Sequence, residues 1–270
     1  MIGSLIAPSQ LNRDRFIVVA GLLVLIGVSW SYLFFVSNDM NSTDMQMSPG
    51  MGWSAVTADI MPWGTAEWVS MFTMWSVMMI GMMIPSASPM ILLFSKVNRQ
   101  RQDGNQPYVS TGIFVIGYVI VWTFFSVFAT SANYFLHASS LLSGVMGQSE
   151  SAILGGCLLI AAGLFQWTPW KNACLDQCRT PMGFLMTEWR DGGIGALRMG
   201  LKHGLYCVAC CWLIMLLIFV LGVMNLVWIA ALSSFVLLEK VVPKGLWIGR
   251  ASGIAFVIWG SLLLFNVIEI

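Results

Sequence analysis

Seven long apolar runs separated by short polar stretches dominate the chain: Phe16–Val36, Val69–Phe94, Tyr108–Leu136, Ser151–Trp167, Leu205–Leu221, Val223–Val242 and Ile248–Ile268. About 20 apolar residues in a helix are enough to cross the hydrocarbon of a bilayer. Unbonded backbone is so costly in lipid that only helices or closed barrels cross it, and these runs have helical length. The pattern therefore predicts an all-α fold, a polytopic transmembrane helix bundle of about seven spans in contact with the lipid bilayer. The first run, at about 21 residues, exceeds the h-region of a signal peptide and is read as an uncleaved span. The fifth and sixth runs meet at Gly222 as a tight hairpin; a six-span reading makes them one long broken helix.

Of 270 residues, 58% are hydrophobic and 9% charged, where soluble domains carry roughly a quarter charged residues. That excludes an ordinary soluble fold, and a net charge of +1 leaves no field to attract nucleic acid. The basic residues serve instead as markers of orientation, because short loops rich in Lys and Arg stay in the cytoplasm. Arg13 and Arg15 precede the first span, Lys96, Arg99 and Arg101 follow the second, Lys171 to Lys202 fall between the fourth and fifth, and Lys240, Lys244 and Arg250 surround the last link. The intervening segments, 37–68, 137–150 and the Gly222 turn, have none. The expectation is one membrane domain over 1–270 with a cytoplasmic N-terminus, a Met-rich external loop at 37–68 and a cytoplasmic, Cys-containing loop at 168–204.

Candidate chemistry sits in two stretches of the inner side. Cys174 and Cys178 are four residues apart, and His203, Cys207, Cys210 and Cys211 open the fifth span. At about 100° per helical residue His203, Cys207 and Cys210 share a stripe, and so do Cys174 and Cys178 if their stretch is helical. Cys211 diverges from Cys210 and is its substitute. Thiolates with an imidazole select copper, zinc or another soft metal over Mg or Ca, and a reducing compartment keeps them as thiols. Packing between helices is the plain alternative for any one of these cysteines, and Cys157, alone in the fourth span, is assigned to it.

In the second span Met71, Met74, Met78 and Met82 form one stripe at helical spacing, with Met90 further along. Thioethers in such a stripe either pack or hand along a soft cation, a secondary metal path. Pro85 and Pro89 are expected to break this helix and free carbonyls beside a cavity. Met40, Met45, Met47, Met51 and Met61, near Asp39, Asp44 and His137, add a weak external soft-metal signal. Glu239 and Lys240 close the sixth span and are read as an interfacial pair; Asn133, Gln166 and Asn225 are read as interhelical hydrogen-bonding groups. The two histidines fall on opposite sides of the membrane, which excludes bis-histidine haem, and no phosphate- or dinucleotide-binding motif is present.

Met78-Met-x-x-Met-Met-x-Pro85-Ser-x-x-Pro-Met90, Gln166-Trp-Thr-Pro-Trp-Lys-x-x-Cys174-x-x-x-Cys178-Arg-x-Pro181 and Gly200-Leu-Lys-His203-Gly-x-x-Cys207-x-x-Cys210-Cys211-Trp212 together resemble a bacterial family of predicted metal-binding integral membrane proteins, filed as a domain of unknown function. Gly222-Val-Met-Asn225-Leu and Leu238-Glu239-Lys240 resemble it too, and coverage runs from about Met71 to Lys244. The resemblance implies a multi-pass protein of the bacterial inner membrane with a metal on Cys174, Cys178, Cys207, Cys210 and Cys211. The function expected is the handling of copper or another soft metal: uptake, delivery or loading of a partner, itself a membrane or periplasmic metal-handling protein. A cation passing from thioethers outside to thiolates inside would move inward. The alternatives are a metal- or thiol-dependent membrane oxidoreductase, for which Arg179 beside Cys178 is the sequence support, and a subunit or assembly factor of a membrane complex.

Overall fold

The computed structural model describes residues 8–46, 64–102, 111–139, 142–143, 148–149 and 152–265. The helices are α1 (Pro8–Gln46), α2 (Thr65–Gln102), α3 (Thr111–Ala138), α4 (Ala152–Phe165), α5 (Pro169–Arg179), α6 (Pro181–Glu188), α7 (Gly192–Leu216), α8 (Ile218–Leu221), α9 (Leu226–Val241) and α10 (Gly245–Leu264). Between α3 and α4 lies a small antiparallel hairpin, β1 (Leu142–Ser143) with β2 (Gln148–Ser149).

Helices stand at every predicted position. Five stretches are long and apolar enough to cross a membrane: Arg15–Asp39, Thr65–Arg101, Thr111–Ala138, Gly192–Leu221 and Gly245–Leu264. A sixth is made if α4 and α5, bent by 67° to each other, count as one broken span. The 14 residues of α4 and 16 of α9 extend only about 21 and 24 Å at 1.5 Å per residue, short of the roughly 30 Å of hydrocarbon. Phe16, Phe35, Phe124, Phe128 and Ile153 are exposed on the outside of the bundle, as apolar side chains facing lipid would be.

Backbone approaches set the helix pairs that carry the site. A Cβ at Gly117 of α3 would lie 2.5 Å from the Leu197 carbonyl oxygen of α7, and a Cβ at Gly200 would overlap the Phe114 carbonyl. Small residues at such crossings let membrane helices come close enough to pack without a hydrophobic drive. The same device joins α4 to α10, where a Cβ at Gly163 would stand 2.7 Å from Gly253 O.

The two prolines do not break α2, which runs unbroken from Thr65 to Gln102. Pro89 cannot bond the Pro85 carbonyl, and the Ser88 hydroxyl takes it at 2.7 Å. Met83 O accepts from Ser86 Oγ at 2.9 Å and from Tyr118 OH at 3.2 Å, and Met82 O accepts from Ser233 Oγ at 3.0 Å. Ser88 thus replaces one of the bonds that the prolines remove, and hydroxyls from α3 and α9 tie this stretch of α2 to its neighbours.

Candidate metal centre

The centre is built on α7. His203, Cys207 and Cys211 recur every fourth residue and Cys210 lies between them, so all four project inward, none more than 2% exposed. Sequence hydropathy starts the span near Leu205 because Arg198 and Lys202 interrupt the apolar run. The helix instead begins at Gly192, with Lys202 paired to Glu188 of α6 at 2.6 Å. Cys207 therefore lies midway along the continuous stretch Gly192–Leu221, not at its entrance.

The second contribution comes from α5. Thr168 caps it, accepting from the Lys171 backbone N–H at 3.3 Å, and Pro169 occupies the first turn, where its missing N–H costs nothing. Being helical, α5 presents Cys174 and Cys178 on one face toward α7. The Cys178 thiol lies close to those of Cys207 and Cys210, and Cys211 lies beside them. Cys210 and Cys211 also donate to the Cys207 carbonyl, at 3.1 and 2.9 Å. Cys174 stands at the edge, its thiol bonded to Trp170. Cys157 is exposed on α4, apart from the group.

Cys207 is the hub. Besides the other thiols, its Sγ meets Tyr118 OH at 3.1 Å and the Lys240 ammonium at 2.8 Å; Lys240 also reaches Ser86 Oγ at 3.3 Å. His203 is held in an aromatic box of Phe114, Tyr118 and Phe184, with ring centroids 5.5 to 6.1 Å away. Its Nδ1 is buried without a hydrogen-bond partner. Among the described residues no group of three or more His, Cys, Asp or Glu side chains is already spaced around a point that could hold a metal ion. The donor set nevertheless fits a soft cation: four clustered thiols and an imidazole nitrogen lacking a partner, shielded from water.

Glu239 and Lys240 are not the interfacial pair expected from sequence. Both are buried, and as neighbours on α9 they diverge: Lys240 enters the thiol group, while Glu239 turns to α5 and pairs with Lys171. Lys171, 1% exposed, also bonds Gln166 Oε1, and Gln166 Nε2 donates to Ser252 Oγ at 3.3 Å. Two residues that read as loop markers, Lys171 and Lys240, are thus interior. The available signal was the cost of an ionisable residue in an apolar stretch, present for Lys240 and weak for Lys171.

Met74, Met78, Met82 and Met90 are buried inside the bundle, Met71 partly so. Asn133 Nδ2 donates to Met71 Sδ at 3.8 Å. Sequence reasoning passed over Met199 and Met215, both buried, which continue the His203–Cys207–Cys211 spacing of α7 by one step in each direction. The external methionines Met47, Met51 and Met61 lie outside the described residues, as do the side chains of Met40, Met45 and Asp44.

No curated protein and no solved structure matches the chain. The model of the PpoB2 family, described as copper chaperone, matches residues 72–263, and the chain belongs to that family. The matched stretch contains the three cysteine- and methionine-bearing motifs that carry the sequence resemblance, and copper is the metal the family's description names.

Proposed function

We propose that this member of the copper chaperone family takes up one Cu(I) on the half-buried thiol of Cys178 and the buried thiols of Cys207, Cys210 and Cys211 and surrenders it to a partner protein. Cys174 and His203 flank the set as auxiliary donors. The observation that supports this most directly is the meeting of four thiols from α5 and α7, remote in sequence, at one place inside a helix bundle. Cu(I) is the copper state matched to thiolates. The cysteines are free, which suits the cytoplasmic side of an inner membrane where thiols stay reduced. Delivery is favoured over transmembrane flux and over oxidoreductase chemistry by the family, whose description is that of a copper chaperone.

The Cys207→Ser, Cys210→Ser double variant tests the assignment. Purified and loaded against a chromogenic Cu(I) chelator, the wild type retains about one copper per chain and the variant essentially none, with yield and monodispersity unchanged. Equal copper in both would leave these cysteines as packing residues.

A further inference from the structure

A buried lysine ammonium in a bundle of apolar helices needs a counter-charge, because the desolvation of an unpaired charge costs several kcal/mol. Lys240 is 7% exposed. Its chain neighbour Glu239 is committed to Lys171. Around the Lys240 ammonium stand the thiols of Cys207, Cys210, Cys178 and Cys211, with Ser86 as its hydroxyl contact and Tyr118 and His203 close by. Resting on the thiol site proposed above, we infer that Lys240 is the resident positive charge of that site and a determinant of its preference for a monovalent metal: its ammonium, hydrogen-bonded to Cys207 Sγ, neutralises the anionic complex formed when Cu(I) is held by two thiolates.

The charges balance as follows. Two thiolates and one Cu(I) sum to −1, and the Lys240 ammonium brings the site to zero without a further ion from solvent. The neighbouring Lys171–Glu239 pair is neutral in itself. Ser86, on the proline-bearing stretch of α2, and the Cys207 sulfur on α7 hold the ammonium between two helices, so it stays beside the sulfur as the ligands rearrange. Lys240 touches the sulfur ligand and not the metal; it is a positioning and charge-balancing residue.

The test compares wild type, Lys240→Met and Lys240→Arg as full-length protein in detergent, with Cu(I) delivered from a competing chelator. A charge-assisted hydrogen bond contributes roughly 1.5–3 kcal/mol, so Lys240→Met is expected to weaken Cu(I) binding by about ten- to a hundredfold. Lys240→Arg keeps the charge and is expected to stay within about threefold of wild type. A purely structural lysine would not be rescued by arginine in this way. If Lys240→Met does not fold, Lys240→Gln removes the charge while retaining a donor and serves the same comparison. Equal affinity in the wild type and the uncharged variant overturns the role of Lys240 and leaves the thiol site standing. Failure of the wild type itself to retain Cu(I) overturns both.

Discussion

At the scale of single residues, the site divides into groups that spacing announces and groups that only packing reveals. His203, Cys207 and Cys210 are legible because their helical spacing puts them on one stripe; Cys211, expected only as a substitute for Cys210, is buried beside it as well. Lys240 is not legible, since a lysine at the end of an apolar run reads as an interfacial anchor until a neighbouring helix is seen to cover it. Lys171 is hidden for the same reason. His203 illustrates a subtler limit: spacing places it beside Cys207, but the orphaned Nδ1 and the box of Phe114, Tyr118 and Phe184 come from three different helices. His203→Phe fills that box and removes the nitrogen. It is expected to weaken Cu(I) binding by about tenfold, as removal of auxiliary partners around a metal commonly does, while leaving thermal stability near that of the wild type. Unchanged affinity would make His203 a packing residue.

Among the elements, α5 is the one that turns separate cysteines into a cluster. It is clamped to the end of α9 at both ends, by Lys171 to Glu239 in its first turn and by Arg179 in its last. Arg179 Nη2 donates to the Val242 and Pro243 carbonyl oxygens at 2.9 and 2.7 Å. That use of Arg179 differs from the thiol-activating role its position beside Cys178 suggests. Cysteine spacing put Cys174 and Cys178 on one face on the condition that their stretch is helical, which it is, but did not show the 67° bend between α4 and α5. Loosening the clamp exposes Cys178. Arg179→Ala loses two charge-assisted hydrogen bonds and is expected to raise the rate of Cys178 alkylation by a small-molecule maleimide about tenfold or more, with the reactivity of exposed Cys157 unchanged. Equal Cys178 rates would mean that Arg179 does not hold α5 in place. The methionine-bearing α2 offers the converse lesson: Pro85 and Pro89 predict a break, but the helix stays whole, with the Ser88 hydroxyl on the Pro85 carbonyl and hydroxyls of Tyr118 and Ser233, distant in sequence, bonded to its backbone.

The whole molecule is a helix bundle whose apolar exterior is predicted by composition alone and whose interior is not. Apolar run length located the long helices, since such runs in a membrane protein are set by hydrocarbon thickness, although α5 and α6 stand where it left a loop. It overcounted full crossings by length: α4 and α9 are short, and α4 gains its place through glycine contacts with α10 rather than by spanning alone. The same bundle encloses Cys207, Cys210 and Cys211. The account stands on sulfur ligation of copper inside this bundle. Copper-edge X-ray absorption on the purified, Cu(I)-loaded protein measures it directly. The expected first shell is sulfur, two or three atoms per copper, lost in the Cys207→Ser, Cys210→Ser variant; a shell of nitrogen and oxygen, or an unchanged sulfur shell in that variant, would contradict it.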